Sequence, residues 1–197
     1  MKKSDILDAL LLKNKGYLKA PDAALLGISR DYLVRYVRKR GLERIALGLY
    51  MSPDAWEDGM YIIQSRYPNS VFSHETALYL LNLAEREPLQ YTITLATGTS
   101  STRLAKHDIK IYKVKPELFE TGIIEAQSPA GHTVRTYNAE RTLCDLLRSR
   151  RNIEIQDLQA AIKGYVRMKE KNIPQLMRYA KLFSVEKLIR QYLEVLL

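Results

Sequence analysis

The chain is poor in the residues that several common chemistries require. It has one cysteine, Cys144, among 197 residues. No intramolecular disulfide can form, and such sparse usage suits a reducing compartment, the cytoplasm by default. It has three histidines, His74, His107 and His132. Leu78 stands four residues after His74, so His74-Glu75 does not extend into the paired-histidine pattern of zinc hydrolases. No apolar run approaches the roughly 18 residues that a membrane-spanning helix needs. The segment Ile6–Lys13 carries Asp8 in its apolar run and has no small-residue cleavage site, so the N-terminus does not read as a secretion signal.

Catalytic constellations are also missing. Gly98-Thr99-Ser100-Ser101-Thr102-Arg103 lacks the Gly-Lys-Ser/Thr ending of a phosphate-binding loop and reads as a polar strand-to-helix turn. Its helix-start amides retain the ability to hold an anion. Asp54, Glu57 and Asp58 cluster on one expected helix, but the strand Tyr91–Leu95 has no acid to complete a nuclease centre. Cys144 lies between apolar neighbours and reads as a small buried hydrophobe. Arg141 and Asp145 stand four apart on one helix face and read as a structural ion pair. The expectation is a protein with no catalytic residue, no metal and no cofactor.

What the chain has is positive charge, unevenly placed. Basic residues outnumber acidic ones 31 to 22. The first 50 residues hold 11 Lys/Arg against 5 Asp/Glu, and the other 147 hold 20 against 17. A basic module joined to a nearly balanced one points to nucleic acid. The length allows one or two domains, and a chain of this size buries a full core without staples. Lys163, Arg167, Lys169, Lys171, Arg178 and Lys181 add later basic charge, read as a solvated face.

The basic module has a pattern. Ile6, Leu7, Leu10 and Leu11 give helical spacing, with Ser4 as N-cap and Gly16 as the stop. Tyr17-Leu18 reads as a short strand. Pro21 opens a second helix, to Leu26, and Gly27 ends it. Ser29 caps a third helix that runs to about Arg40 and stops at Gly41. Rotation at about 100° per residue puts Leu33, Tyr36, Val37 and Arg40 on one side. Asp31, Arg35 and Arg38 fall on the other, with Lys39 beside them. Leu42–Tyr50 then reads as a hairpin turning near Gly48. Helix, glycine turn, capped basic helix and hairpin in that order make a winged helix-turn-helix, whose third helix enters the DNA major groove. Arg35 and Arg38 are the central candidate contacts, Arg30, Tyr32 and Lys39 flank them, and Arg44 reaches phosphate from the wing.

Ser52-Pro53-Asp54 reads as the start of the next helix, to about Arg66, so the domain boundary is placed at 51/52. Residues 52–197 read as a second domain with a small sheet and several helices. Helices are expected at His74–Leu83, Arg103–Lys106, Ala139–Arg148, Ile155–Lys169, Ile173–Leu182 and Val185–Leu196. Strands are expected at Tyr91–Leu95, Lys110–Val114, Ile123–Gln127 and Thr133–Tyr137, the last two as a hairpin. The fold class is α+β and mainly helical.

Three segments then carry a resemblance: Gly41-Leu42-Glu43-Arg44 with Gly48-Leu49-Tyr50, Phe72-Ser73-His74-Glu75-Thr76-Ala77-Leu78, and Glu140-Arg141-Thr142-Leu143-Cys144-Asp145-Leu146-Leu147. In this order, over nearly the whole chain, they resemble the AbiEi-type antitoxins of the AbiE toxin–antitoxin systems. The resemblance implies an N-terminal winged helix that represses its own operon by binding inverted repeats in the promoter. It implies a C-terminal domain that counters a nucleotidyltransferase-like toxin in a type IV arrangement, without a stable complex. It is compatible with a monomer in solution and two copies on the operator. The family's glycine after the Ser-His-Glu helix is replaced by Leu81-Asn82-Leu83, and asparagine tolerates the same left-handed turn. The expected function is antitoxin and autorepressor. The alternatives are a winged-helix regulator whose second domain senses a ligand or mediates oligomerisation, and a DNA-targeted nuclease.

Overall fold

The computed structural model describes residues 2–101 and 108–196. The expected helix at 103–106 and His107 lie outside the described residues. The chain is α+β and mainly helical. It divides into two compact units, Met1–Pro68 with Gln127–Thr133, and Asn69–Ala126 with Val134–Leu197.

The first unit carries α1 (Lys3–Lys13), β1 (Tyr17–Lys19), α2 (Ala20–Leu25), α3 (Arg30–Arg40), β2 (Glu43–Ala46), β3 (Leu49–Met51) and α4 (Gly59–Arg66). The three strands form an antiparallel sheet in the order β1-β3-β2, with Tyr17 opposite Met51 and Arg44 opposite Tyr50. Tyr17-Leu18 is thus a short strand, and it pairs with the wing. Leu7, Leu18, Ala23, Ile28, Leu33, Tyr36 and Leu42 make the core beneath α1 to α3. The start of α1 differs from expectation. Ser4 is inside the helix, and the Asp5 carboxylate accepts the Lys2 N–H at 3.1 Å instead. Gly16 does end the turn, at φ 89°, and an added Cβ there would come within 2.5 Å of Ala55.

Residues 52–58 correct the expected helix. Ser52 bonds Asp54 in a tight turn, and α4 begins only at Gly59. The reason is tertiary. The Tyr17 hydroxyl donates to the Trp56 carbonyl at 3.0 Å and accepts the Asp58 N–H at 2.8 Å, which holds residues 56–58 out of the helix. Asp58, not Ser52, caps the helix by accepting the Tyr61 N–H at 3.0 Å. Asp54, Glu57 and Asp58 therefore do not share a helix face.

The second unit carries β4 (Val71–Phe72), α5 (His74–Leu80), β5 (Tyr91–Ala96), β6 (Ile109–Val114), α6 (Pro116–Phe119), β7 (Ile123–Gln127), β8 (Thr133–Tyr137), α7 (Ala139–Arg148), α8 (Ile155–Arg167), α9 (Ile173–Leu182) and α10 (Glu186–Leu196). Its sheet is mixed, in the order β6-β5-β4-β8-β7. β5 and β6 run parallel with Tyr91 opposite Ile109, while β4 is antiparallel to β5 and parallel to β8. The two-residue β4 and the one-turn α6 are too short to leave a periodic pattern in sequence. α5 stops three residues early, and Asn82 takes the left-handed turn at φ 56°.

α7 is the axis of this unit, buried from Ala139 through Leu147. Arg141 is fully buried between the rings of Tyr137 and Phe183, 4.1 and 4.0 Å from their centroids. Its Nε donates to Asp145 at 2.9 Å and its Nη1 to the carbonyls of Leu118 and Thr121 at 2.8 Å each. Burial pushes the Asp145 carboxyl up while Arg141 opposes that rise. Removing one partner of such a pair strands the other, which costs about 3–5 kcal/mol. Arg141→Met is expected to lower unfolding stability by that amount in urea titration; a loss under about 1 kcal/mol would contradict the central place given to this cation.

Candidate nucleic-acid interface

The helix-turn-helix is built from local signals. Gly27 takes φ 74°, a left-handed value that suits glycine, and its N–H bonds the Ala24 carbonyl at 2.9 Å. Ser29 then caps α3 by accepting the Tyr32 N–H at 3.4 Å. Gly41 ends α3 in the left-handed conformation at φ 65°. Between the two caps the helix has two opposed faces.

The inner face is clamped. Leu33 and Tyr36 are buried. The Tyr36 hydroxyl donates to the Asp8 carboxylate at 2.5 Å, and Arg40 donates to the same oxygen. Burial first, then Asp8, pushes the Tyr36 phenol up to about 12, so it remains a donor. Arg40 is thereby a fixture between α3 and α1, in keeping with its place on the inward side.

The outer face is bare. Arg30, Arg35, Arg38 and Lys39 are exposed, and none is paired with a carboxylate among the described residues. Tyr32 is partly buried against the core, with the Arg35 guanidinium 5.9 Å and the Lys3 ammonium 5.8 Å from its ring. It orients cations as well as flanking them. Arg44 is exposed on β2, its Nε donating to the Ala46 carbonyl at 3.4 Å. Beyond it the wing turns at Gly48 (φ 69°), with Leu47 fully outward at its tip. One residue escaped the sequence reading. Val34, 42% exposed, stands one turn before Arg38 and outside the core. The signal was available: an apolar β-branched side chain at an outward helical position serves neither packing nor helix propensity.

The first unit extends beyond the winged helix. Arg66 on α4 donates to the Ile45 carbonyl of the wing at 2.8 Å. Tyr61 stacks on His132 at 4.3 Å, and Tyr17 meets both rings edge-on. Asp58 accepts from Ser128 Oγ at 2.5 Å and pairs with His132 Nδ1 at 2.7 Å. Ser128 Oγ also accepts the His132 backbone N–H at 2.9 Å, but the imidazole meets Asp58 and not the serine hydroxyl, and His132 Nε2 faces the Asn14 carbonyl at 3.2 Å. This is a structural knot and not a nucleophilic triad.

The remaining motifs in the second unit are also structural. His74 is buried at φ 49°, bonded to Ser73 Oγ at 3.0 Å and Ser149 Oγ at 3.2 Å, and stacked on Tyr112 at 3.5 Å. Glu75 pairs with Lys110 at 3.2 Å. No group of metal-binding side chains forms among the described residues. Burial pushes the Cys144 thiol up to about 12, so it is not a thiolate. In the Gly98 loop, Thr97 is tied to the Val114 carbonyl by its N–H at 2.7 Å and its hydroxyl at 3.0 Å. Lys163, Arg167, Lys169, Arg178 and Lys181 are exposed.

No protein-family model and no curated protein sequence matches the chain. Among solved structures, it is similar to the crystal structure of the RV2827C protein from Mycobacterium tuberculosis. The two are 13% identical with a TM-score of 0.58, over 89% of this chain and 70% of that one. That likeness is one of fold.

His74 gives this region a pH signature. Burial, then the charges of Lys110, Arg141 and Arg148, push its imidazole down to about 3. The unfolded chain takes up a proton near pH 6.5 that the folded chain refuses. Its contribution is therefore complete above about pH 6.5 and lost as pH falls toward about 3. Stability is expected to fall by up to about 1.4 kcal/mol per pH unit on this account, measured by denaturant titration. In His74→Asn, whose side chain tolerates the left-handed backbone, that acid slope should flatten; an unchanged slope would assign the acid sensitivity elsewhere.

Proposed function

We propose that the first unit binds duplex DNA through the outer face of α3, with Arg35 and Arg38 as the central contacts. The observation that carries this reading is the two-faced helix: its inward arginine is spent on Asp8, while Arg30, Arg35, Arg38 and Lys39 are left without carboxylates. A cationic helix face of that kind matches a groove lined with phosphates. Arg44 on the wing adds a backbone contact. Val34 beside Arg38 presents an apolar surface suited to a thymine methyl group. Asp31 on the same face disfavours phosphate and confines the cations to either side of it.

The protein acts, in this reading, as an autorepressor of a toxin–antitoxin operon. Two copies occupy inverted repeats in its promoter, and the second unit counters a nucleotidyltransferase-like toxin without a stable complex. The resemblance to AbiEi-type antitoxins supports this second half. The unit division bears on how to test it, because a fragment starting at residue 52 would separate α4 and residues 127–133 from the strands they pack on. The full chain is the right material.

Two outcomes are expected. In titrations of promoter duplex at several salt concentrations, Arg38→Ala and Arg35→Ala each weaken binding by about 1–3 kcal/mol if they read bases. A lost phosphate contact instead lowers the salt slope by about 0.9. Unchanged affinity in both variants would remove α3 from the interface. In cells expressing the adjacent reading frame, the full chain should relieve toxicity, and so should Arg35→Glu/Arg38→Glu, which no longer binds DNA. Failure of both proteins to relieve it would end the antitoxin reading while leaving the DNA reading intact.

A further inference from the structure

Trp56 is the chain's single tryptophan, and its side chain is 88% exposed. Its exposure is not that of a loose loop. The Trp56 carbonyl is held by the Tyr17 hydroxyl at 3.0 Å, two residues before the buried cap Asp58. The backbone is fixed and the indole is directed outward. Trp56 borders a hollow of about 410 Å³ whose lining includes the apolar or small Leu11, Leu12, Gly16 and Ala55 and, among its polar residues, Lys15 and Asp54. Leu12 is itself 84% exposed. Two large apolar side chains in water beside an apolar hollow mark a surface that is covered when the protein works.

We propose that Trp56 and this hollow form a self-complementary docking surface for a second copy of this chain. A twofold interface uses one patch twice, so the patch must carry both a projection and a recess. Here Trp56 is the projection and the hollow beside it the recess. The charges obey the same rule. Lys15 and Asp54 have opposite signs, so across a twofold axis each ammonium meets the carboxylate of the other copy. The Ser52 hydroxyl holds the Asp54 carboxyl below the usual carboxylate range, which keeps it anionic. Lys15 donates to the Ala130 carbonyl at 3.0 Å, and two of its three N–H groups are left for a partner. DNA is a poor occupant, because Asp54 and the exposed Glu57 would face its phosphates. Tryptophan is also the side chain that most often dominates a protein interface.

Trp56 reports on its own burial, since no other indole emits. The test uses the full chain without DNA, so its outcome is independent of the DNA reading. Sedimentation equilibrium across the micromolar range should show a monomer–dimer transition. Over the same concentrations Trp56 emission should shift to the blue and lose its accessibility to acrylamide. Trp56→Ala should raise the dimer dissociation constant by at least about tenfold. Lys15→Glu and Asp54→Lys should each do so with Trp56 still present as reporter, and the double exchange should restore the dimer. Near-ultraviolet circular dichroism confirms that each variant is folded. A chain that stays monomeric with Trp56 exposed at every concentration overturns the proposal. So does a dimer that survives Trp56→Ala, which would lie on another face, or a blue shift without a change in mass, which would mean that the hollow holds a small molecule.

Discussion

The carboxylate of Asp58 is the constraint on which the first unit depends. It is 3% exposed. A buried carboxylate is tolerable only when its oxygens are hydrogen-bonded, and here one oxygen accepts from the Tyr61 backbone while the other meets Ser128 and His132. Each bond fixes a different piece of chain. The first starts α4. The other two bring residues 127–133 into a unit whose remaining residues all lie before 69. The backbone of Asp58 adds a third tie through its N–H to Tyr17, on the strand that pairs with the wing. Asp58 thereby fixes the end of the segment that follows Met51, which carries Trp56.

The helix α3 solves a related problem. Its 11 residues include four arginines and one lysine, which repel one another. Gathering them on one face leaves the other free to pack, and the single inward arginine is neutralised by Asp8. Asp8 lies on α1, so the neutralising contact also joins α3 to α1. An arginine tied to the fold and arginines left without a carboxylate thus differ by position on one helix and by access to Asp8. This is why Arg40 does not belong with Arg35 and Arg38, although the three share a short basic run.

Legibility in the sequence followed the range of the interactions. β7, β8, α7 and α9 lie where turn and cap residues put them: Gly131 adopts φ 79°, Asn138 accepts the Arg141 N–H at 3.0 Å, and Asn172 accepts the Gln175 N–H at 3.0 Å. The outward stripe of α3 was readable from rotation alone, and so was the Arg141–Asp145 pair. What was not readable depends on distant partners. Ser52-Pro53-Asp54 has every local mark of a helix start, yet Tyr17, about 40 residues earlier, holds residues 56–58 out of the helix. The bond from His132 to Asp58 spans 74 residues, so the membership of 127–133 in the first unit had no local signal. β4 pairs on both sides, antiparallel to β5 and parallel to β8, and is a strand by virtue of those neighbours and not of its two residues.

The charge patterns on the first unit separate two kinds of recognition. On α3 the exposed charges are nearly all positive, and such a surface gains by releasing counterions from a polyanion. It also repels another copy of itself. Around Trp56 the charges are of both signs and the recess is apolar, and such a surface gains from shape and from dry contact, with little to offer a phosphate. A protein that occupies two half-sites gains from both. Affinity for one half-site comes from the basic face, whereas linking two protein copies converts the second binding event into a local one at high effective concentration. The salt dependence would then reside almost wholly in the α3 face. Raising ionic strength should strip the protein from DNA well before it separates two copies joined through tryptophan and an apolar hollow, because screening weakens charge contacts and leaves apolar burial nearly untouched.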